Sequence, residues 1–159
     1  MAESVIDIAV DDLSDGKIVE LLNTHHQEMH KYSPPESVHA LDVGKLQDAS
    51  ITVWAARIDG QLAACGALKE IDELNGEIKS MKTDKRFLRK GIGAMILENI
   101  IQEAIARSYK NIFLETGSDK AFEPATVLYK KYGFEESEPF GDYKLDPYSV
   151  YMTKHLART

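Results

Sequence analysis

Six of the nineteen Lys and Arg residues fall between Lys79 and Lys90, in a chain of 159 residues whose formal net charge is -7. Directly after them come Gly91, Ile92 and Gly93, and then the apolar run from Ala94 to Leu97. Glycines that open a helix let an anion approach the backbone, where free N–H groups and the helix dipole attract it. The loop is neither a GxxxxGK[ST] phosphate loop nor a dinucleotide GxGxxG, because the third glycine is missing. An equally good reading is a strand-to-helix turn whose glycines only ease the backbone. A sequence pI near 5.2 argues against a nucleic-acid binder, which ordinarily carries a positive balance.

Other reactive residue types are sparse. His26 and His30 stand four apart, a spacing a metal could use, but the intervening Glu28 is out of phase with HExxH and no Cys or Asp cluster completes a site. No metal is expected. The single cysteine, Cys65, lies in the apolar stretch LAACGAL and reads as a buried thiol.

The elements that must position these groups follow from periodicity. Ile6, Ile8 and Val10 alternate as in a strand. Ile18, Leu21, Leu22, His25 and Met29 recur at helical spacing until Ser33-Pro34-Pro35 stops the helix. Residues 40–48 suggest a short second helix. ITVWAARI and QLAACGALKEI are strands joined at Asp59-Gly60, and Asn75-Gly76 signals a second hairpin into GEIKSMKT. The glycine loop starts a long helix with an apolar stripe of Ile96, Leu97, Ile100, Ile101, Ala104 and Ile105. NIFLET is a strand, EPATVLYKKYG a helix closed by Gly133, and YSVYMTKHL a final strand. Residues 1–159 form one mixed α/β domain rather than a doubly wound parallel one. No apolar run approaches the ~20 residues of a membrane span, and the N-terminus lacks the pattern of a secretory signal, so a cytoplasmic location is the default.

The stretch from Leu88 to Gly93 resembles the cofactor loop of the GCN5-related N-acetyltransferases, broadly (Q/R)xxGx(G/A). Leu88 stands where that family has Gln or Arg. Leu128, Tyr129, Gly133 and Phe134 are similar to the family's late helix signature, with Phe122 where many members carry Asn. The motifs cover roughly residues 50–155, and the N-terminal third matches by element order alone; the tail also resembles a branch of bacterial acetyltransferases without an assigned acceptor.

This resemblance implies the GNAT acyl-CoA N-acyltransferase fold, a mostly antiparallel sheet of about six or seven strands with about four helices. It implies acetyl-CoA as donor, held by Met81, Lys82, Thr83, Leu88, Arg89, Lys90, Gly91, Ile92, Gly93, Ala94, Phe122 and Tyr129, and direct attack by an amine of a small molecule or peptide in a ternary complex. Glu77 would be the base, or equally a strand Glu paired with Lys79; Glu70 and Glu115 are reserves. Glu77, Lys79 and Met81 should share one face of their strand by its two-residue period. Tyr129 would be the general acid for the leaving thiolate. Glu36, Ser37 and His39, with Tyr143 opposite, would contact the acceptor, or mark a capped helix start. A homodimer would cover exposed strands. The alternatives are a non-catalytic acyl-CoA-binding module of the same fold and a small nucleic-acid-binding domain.

Overall fold

The computed structural model describes residues 5–29, 46–141 and 143–156, with side chains from residue 46 onward and for 5–24. In chain order the elements are β1 (Ile6–Val10), α1 (Lys17–Met29), β2 (Ile51–Ile58), β3 (Gln61–Asp72), β4 (Asn75–Thr83), α2 (Ile92–Ala106), β5 (Asn111–Gly117), α3 (Glu123–Lys131), β6 (Glu135–Ser137) and β7 (Ser149–His155). Seven strands form one sheet in the order β1-β2-β3-β4-β5-β7-β6. Three α-helices are found among the described residues, one fewer than expected. The missing one is the helix read over residues 40–48, most of which lies outside them. The short acidic strand β6 was not singled out in the sequence.

β2 and β3 are apolar on both faces because both faces are covered. Val53, Ala55, Cys65 and Ala67 meet Ile18 and Leu22 of α1 on one side. Trp54, Ala56, Ala64 and Leu68 meet Ile92, Ile96, Leu97, Ile100 and Ala104 of α2 on the other. Ile105, read as part of the stripe, stays 40% exposed at its edge. Gly66 lies under α2, where an added Cβ would stand 2.5 Å from Met81 Sδ and 2.7 Å from Ile96 Cγ2. Gly66→Ala is therefore expected to cost about 1–3 kcal/mol through overpacking, read as a lower urea midpoint at unchanged slope.

Two turn assignments fare differently. Asp59 and Gly60 both have positive φ, 51° and 86°, as a two-residue hairpin requires. The second turn falls instead on Glu73 and Leu74, since Asn75 and Gly76 already pair with Asp72 and Glu70. The Asp72 carboxylate makes that turn by accepting from the Leu74 N–H at 2.8 Å and from Asn75 Nδ2 at 2.9 Å. Gly76 serves packing: a Cβ there would lie 2.8 Å from the Tyr109 ring.

Two irregularities in β4 shape the site. Its register against β3 moves from Ala67↔Lys79 to Cys65↔Lys82, a bulge at which Ser80 takes φ 57°. The bulge resets the alternation, so Met81 joins Ile78 on the α2 face instead of sharing a face with Glu77 and Lys79. The second irregularity is the partner strand: β4 pairs β5 in parallel from Asn75↔Asn111 to Ile78↔Leu114 and no further. Beyond that point β4 runs on to Thr83 and β5 to Gly117 without pairing to each other.

Candidate functional site

At the far end of β4 the chain turns into α2. Gly91 caps the helix at φ 77° with no side-chain cap, and the first turn holds no acid. The bond from Met95 N to Gly91 O, 3.2 Å, is the first to close the ladder. The N–H groups of Ile92, Gly93 and Ala94 therefore have no acceptor among the described residues. Arg89, also at positive φ (65°), and Gly91 flank Lys90 in a loop that turns backbone donors outward. Gly93 lets the helix start abut β4, since a Cβ would stand 3.3 Å from Thr83 Oγ1. Leu88, Arg89 and Lys90 are exposed, whereas the Ile92 side chain is core and only its backbone faces the loop.

The basic run thus divides among several environments. Arg86 Nε pairs with Asp84 Oδ1 at 3.1 Å, and Arg86 holds the Asp84 carboxyl below its ordinary value. The Lys82 side chain, one step past Met81, lines a separate cavity with Arg57, Asp84, Lys85 and Arg86. Charges dispersed in this way do not form the continuous basic face a duplex needs.

Near the start of β4, Glu77 is buried at 5% exposure. Its Oε2 accepts from Lys79 Nζ at 3.1 Å and from the Tyr143 hydroxyl at 2.8 Å, and Lys79 Nζ also donates to the Tyr143 oxygen at 2.9 Å. Burial first, and the Glu77 carboxylate second, hold the Tyr143 phenol well above its ordinary value, so it stays a donor. These groups face a cavity of about 660 Å³ that Lys69, Glu70, Phe140 and Lys144 also line. Phe140 and Tyr143 are its aromatic lining, their rings edge-on at 5.0 Å, and Phe113, stacked on Phe140 at 5.0 Å, and Tyr151 support them from behind. The reserve acids are engaged, Glu70 accepting from the Tyr109 hydroxyl at 2.9 Å and Glu115 from Ser149 Oγ at 2.7 Å.

Tyr129 of α3 is 7% exposed, its ring 5.8 Å from that of Phe134, and burial pushes its phenol up to about 12. No fully buried side-chain polar atom among the described residues lacks a partner. The Tyr129 hydroxyl has no hydrogen bond there either, so it reaches accessible space. Phe122 lies against the end of β5, occupying the space a Cβ on Gly117 would need, 2.2 Å away. Burial pushes the Cys65 thiol up to about 12, leaving it inert. Glu36, Ser37 and His39 lie outside the described residues, as do the side chains of His26 and His30.

The pairing of Glu77 with Lys79, one of the two readings of that strand, is present, although Lys79 was not itself counted among the site residues. The sequence reading missed Phe140 and the Phe113 and Tyr151 rings packed behind it, which no local pattern joins.

The chain matches the Acetyltransferase (GNAT) family over residues 17–134. It is 51% identical over 149 residues to the uncharacterized N-acetyltransferase YsnE of Bacillus subtilis, covering 94% of this chain and 99% of that one. It is 34% identical to the IAA acetyltransferase of Azospirillum brasilense, over 95% and 98% of the two chains. A GNAT family acetyltransferase from Elizabethkingia anophelis, solved with acetyl-CoA bound, shares the fold at a TM-score of 0.68 and 20% identity, over 95% and 98%. With an open helix start at one end of an interrupted parallel pair and a buried carboxylate at the other, the chain belongs to the GNAT acetyltransferase family and is an acyltransferase.

Proposed function

We propose that residues 1–159 form one N-acetyltransferase domain that transfers acetyl from acetyl-CoA to an amine of a small molecule or peptide by direct attack in a ternary complex. The observation that carries this reading is the geometry of β4, a single strand that begins at the Glu77 cavity and ends against the α2 start. Thr83 stands six positions beyond Glu77, roughly 20 Å of strand, which suits an extended acyl-bearing arm better than a compact nucleotide. The donor's phosphates would rest on the N–H groups of Ile92, Gly93 and Ala94, with Arg89 and Lys90 adding charge. Backbone groups of Met81, Lys82 and Thr83 would hold the arm where β4 has no β5 partner, beside Phe122 and Tyr129.

In the transfer, the amine nitrogen attacks the thioester carbonyl carbon. A C–N bond forms, the C–S bond breaks, and the amine's proton passes to Glu77. The Tyr129 hydroxyl protonates the departing sulfur. Its high phenol value is no obstacle, because the same apolar walls that disfavour phenolate also disfavour a desolvated thiolate. A Met81-region N–H would stabilise the oxyanion. Tyr143, Glu36, Ser37 and His39 would frame the acceptor.

Acetyl-CoA at a hundred times its Kd should raise stability by about 2.7 kcal/mol, seen as a higher Tm. Thiol release on adding an amine panel should then fall markedly in Tyr129→Phe while the acetyl-CoA shift is kept. No Tm shift at millimolar acetyl-CoA would overturn the reading.

A further inference from the structure

A carboxylate has two equivalent oxygens until something holds one of them, and those of Glu77 are held unequally. Oε2 accepts both from Lys79 Nζ at 3.1 Å and from the Tyr143 hydroxyl at 2.8 Å. Oε1 accepts no hydrogen bond among the described residues. No fully buried side-chain polar atom there lacks a partner, so Oε1 reaches accessible space although the Glu77 side chain is only 7% exposed. The space beside Glu77 is the cavity of about 660 Å³. Lys69 stands opposite Glu77 on the β3 ladder and lines the same cavity, but the two form no ion pair.

Tyr143 is held firmly by the fold around it. Its N–H donates to the Phe140 carbonyl at 3.1 Å, closing a turn. The Tyr151 hydroxyl of β7 donates to the Lys144 carbonyl at 2.6 Å, which ties the next residue to the sheet. The Tyr143 ring packs edge-on to Phe140 at 5.0 Å and lies 5.7 Å from that of Tyr151. Burial first, and the Glu77 carboxylate second, keep the phenol protonated. Its one hydroxyl hydrogen goes to Glu77 while its oxygen accepts from Lys79 Nζ at 2.9 Å, so the three groups close a triangle. Lys79 alone would be a looser anchor, because its ammonium rides on a flexible four-carbon stem.

We propose that Tyr143 is a positioning residue that acts through Glu77: by fixing Oε2 it turns Oε1 toward the cavity as the oxygen that takes the acceptor's proton. The amine's lone pair forms the C–N bond, and the C–S electrons leave with sulfur, which takes the Tyr129 proton. The amine N–H bond breaks with its electrons left on nitrogen, and an O–H bond forms at Oε1. This rests on the acetyl-transfer reading.

The test follows thiol release from acetyl-CoA with the fastest acceptor among a panel of amino-acid amides, Nα-acetyl-lysine amide and diamines. Wild type, Tyr143→Phe, Glu77→Gln and the double variant are each assayed, and the Tm is recorded with and without acetyl-CoA. Tyr143→Phe keeps the ring and its packing and removes only the hydroxyl. It should lower kcat about tenfold or more, the size of a lost alignment, while both KM values and the acetyl-CoA shift stay within about twofold of wild type. In the Glu77→Gln background the same substitution should change kcat by less than about twofold, because no base is left to orient. A raised acceptor KM, or an equal loss of kcat with and without Glu77, would make Tyr143 an acceptor contact or a structural support and overturn the proposal. So would a Tyr143→Phe kcat within about threefold of wild type, or a Glu77→Gln protein as active as wild type. A wild type that is not stabilised by acetyl-CoA instead removes the transferase reading beneath it.

Discussion

Glu77→Gln is expected to lower kcat/KM for acetyl transfer by about 10²–10⁴-fold while acetyl-CoA still raises the Tm. Gln keeps the shape of Glu and one oxygen able to accept from Tyr143, but it cannot take the proton of an attacking amine. The loss should fall on the chemical step, so kcat drops with little change in the KM for acetyl-CoA, whose phosphates in the proposed reading would rest at the other end of β4. Because Lys79 loses its anionic partner in a nearly enclosed place, some stability is lost as well. The Tm of the apo-protein therefore has to be recorded beside the rates. A variant with the wild-type pH profile and a rate within about threefold of wild type would remove Glu77 from the reaction, the typical general-base contribution being far larger. Glu115 would then be the next acid to replace, being half-buried on the same strand face as Phe113.

Ala94→Glu should act in opposite directions on the empty and the loaded protein. Ala94 is the third residue of α2, whose first turn has neither an acid nor a side-chain cap. A carboxylate there complements the helix dipole and should stabilise the apo-protein by roughly 0.3–1 kcal/mol. It also competes with a phosphate for the same N–H groups and repels it. The acetyl-CoA shift should shrink to a small fraction of the wild-type value, and the KM for acetyl-CoA should rise at least tenfold or so. A variant that gains stability and keeps the full acetyl-CoA shift would place the phosphates elsewhere. Ala94→Gln, neutral and of similar size, separates charge from bulk.

Local chemistry was legible in the sequence and tertiary juxtaposition was not. Apolar runs bounded by turns fixed β2 and β3, and Gly91 with the stripe behind it fixed the start of α2, because each signal is complete within a dozen residues. Two errors came from single residues that obey a rule other than the one applied. Gly76 looked like a turn residue, yet it is small because the Tyr109 ring lies on it. Met81 was assigned by strict alternation, which the positive φ of Ser80 interrupts. The helix start was readable because its donors are backbone groups of consecutive residues. The triangle of Glu77, Lys79 and Tyr143 was only half readable, since Tyr143 stands 64 positions from Lys79 and meets it only when β7 has been laid beside β5.

The parallel join of β4 to β5 also has a kinetic meaning. β2 and β3 close over a two-residue turn, whereas Asn75 reaches Asn111 across a separation of 36 positions filled by the loop and α2. Closing the longer span costs more chain entropy, and it returns only four paired positions. The β2–β3–β4 meander can thus organise locally, whereas the join to β5, like the long-range pairings of β1 with β2 and of β5 with β7, needs distant parts of the chain to meet. The proposed donor cleft lies at that join, so the binding surface comes into being with long-range closure of the chain rather than with the local meander.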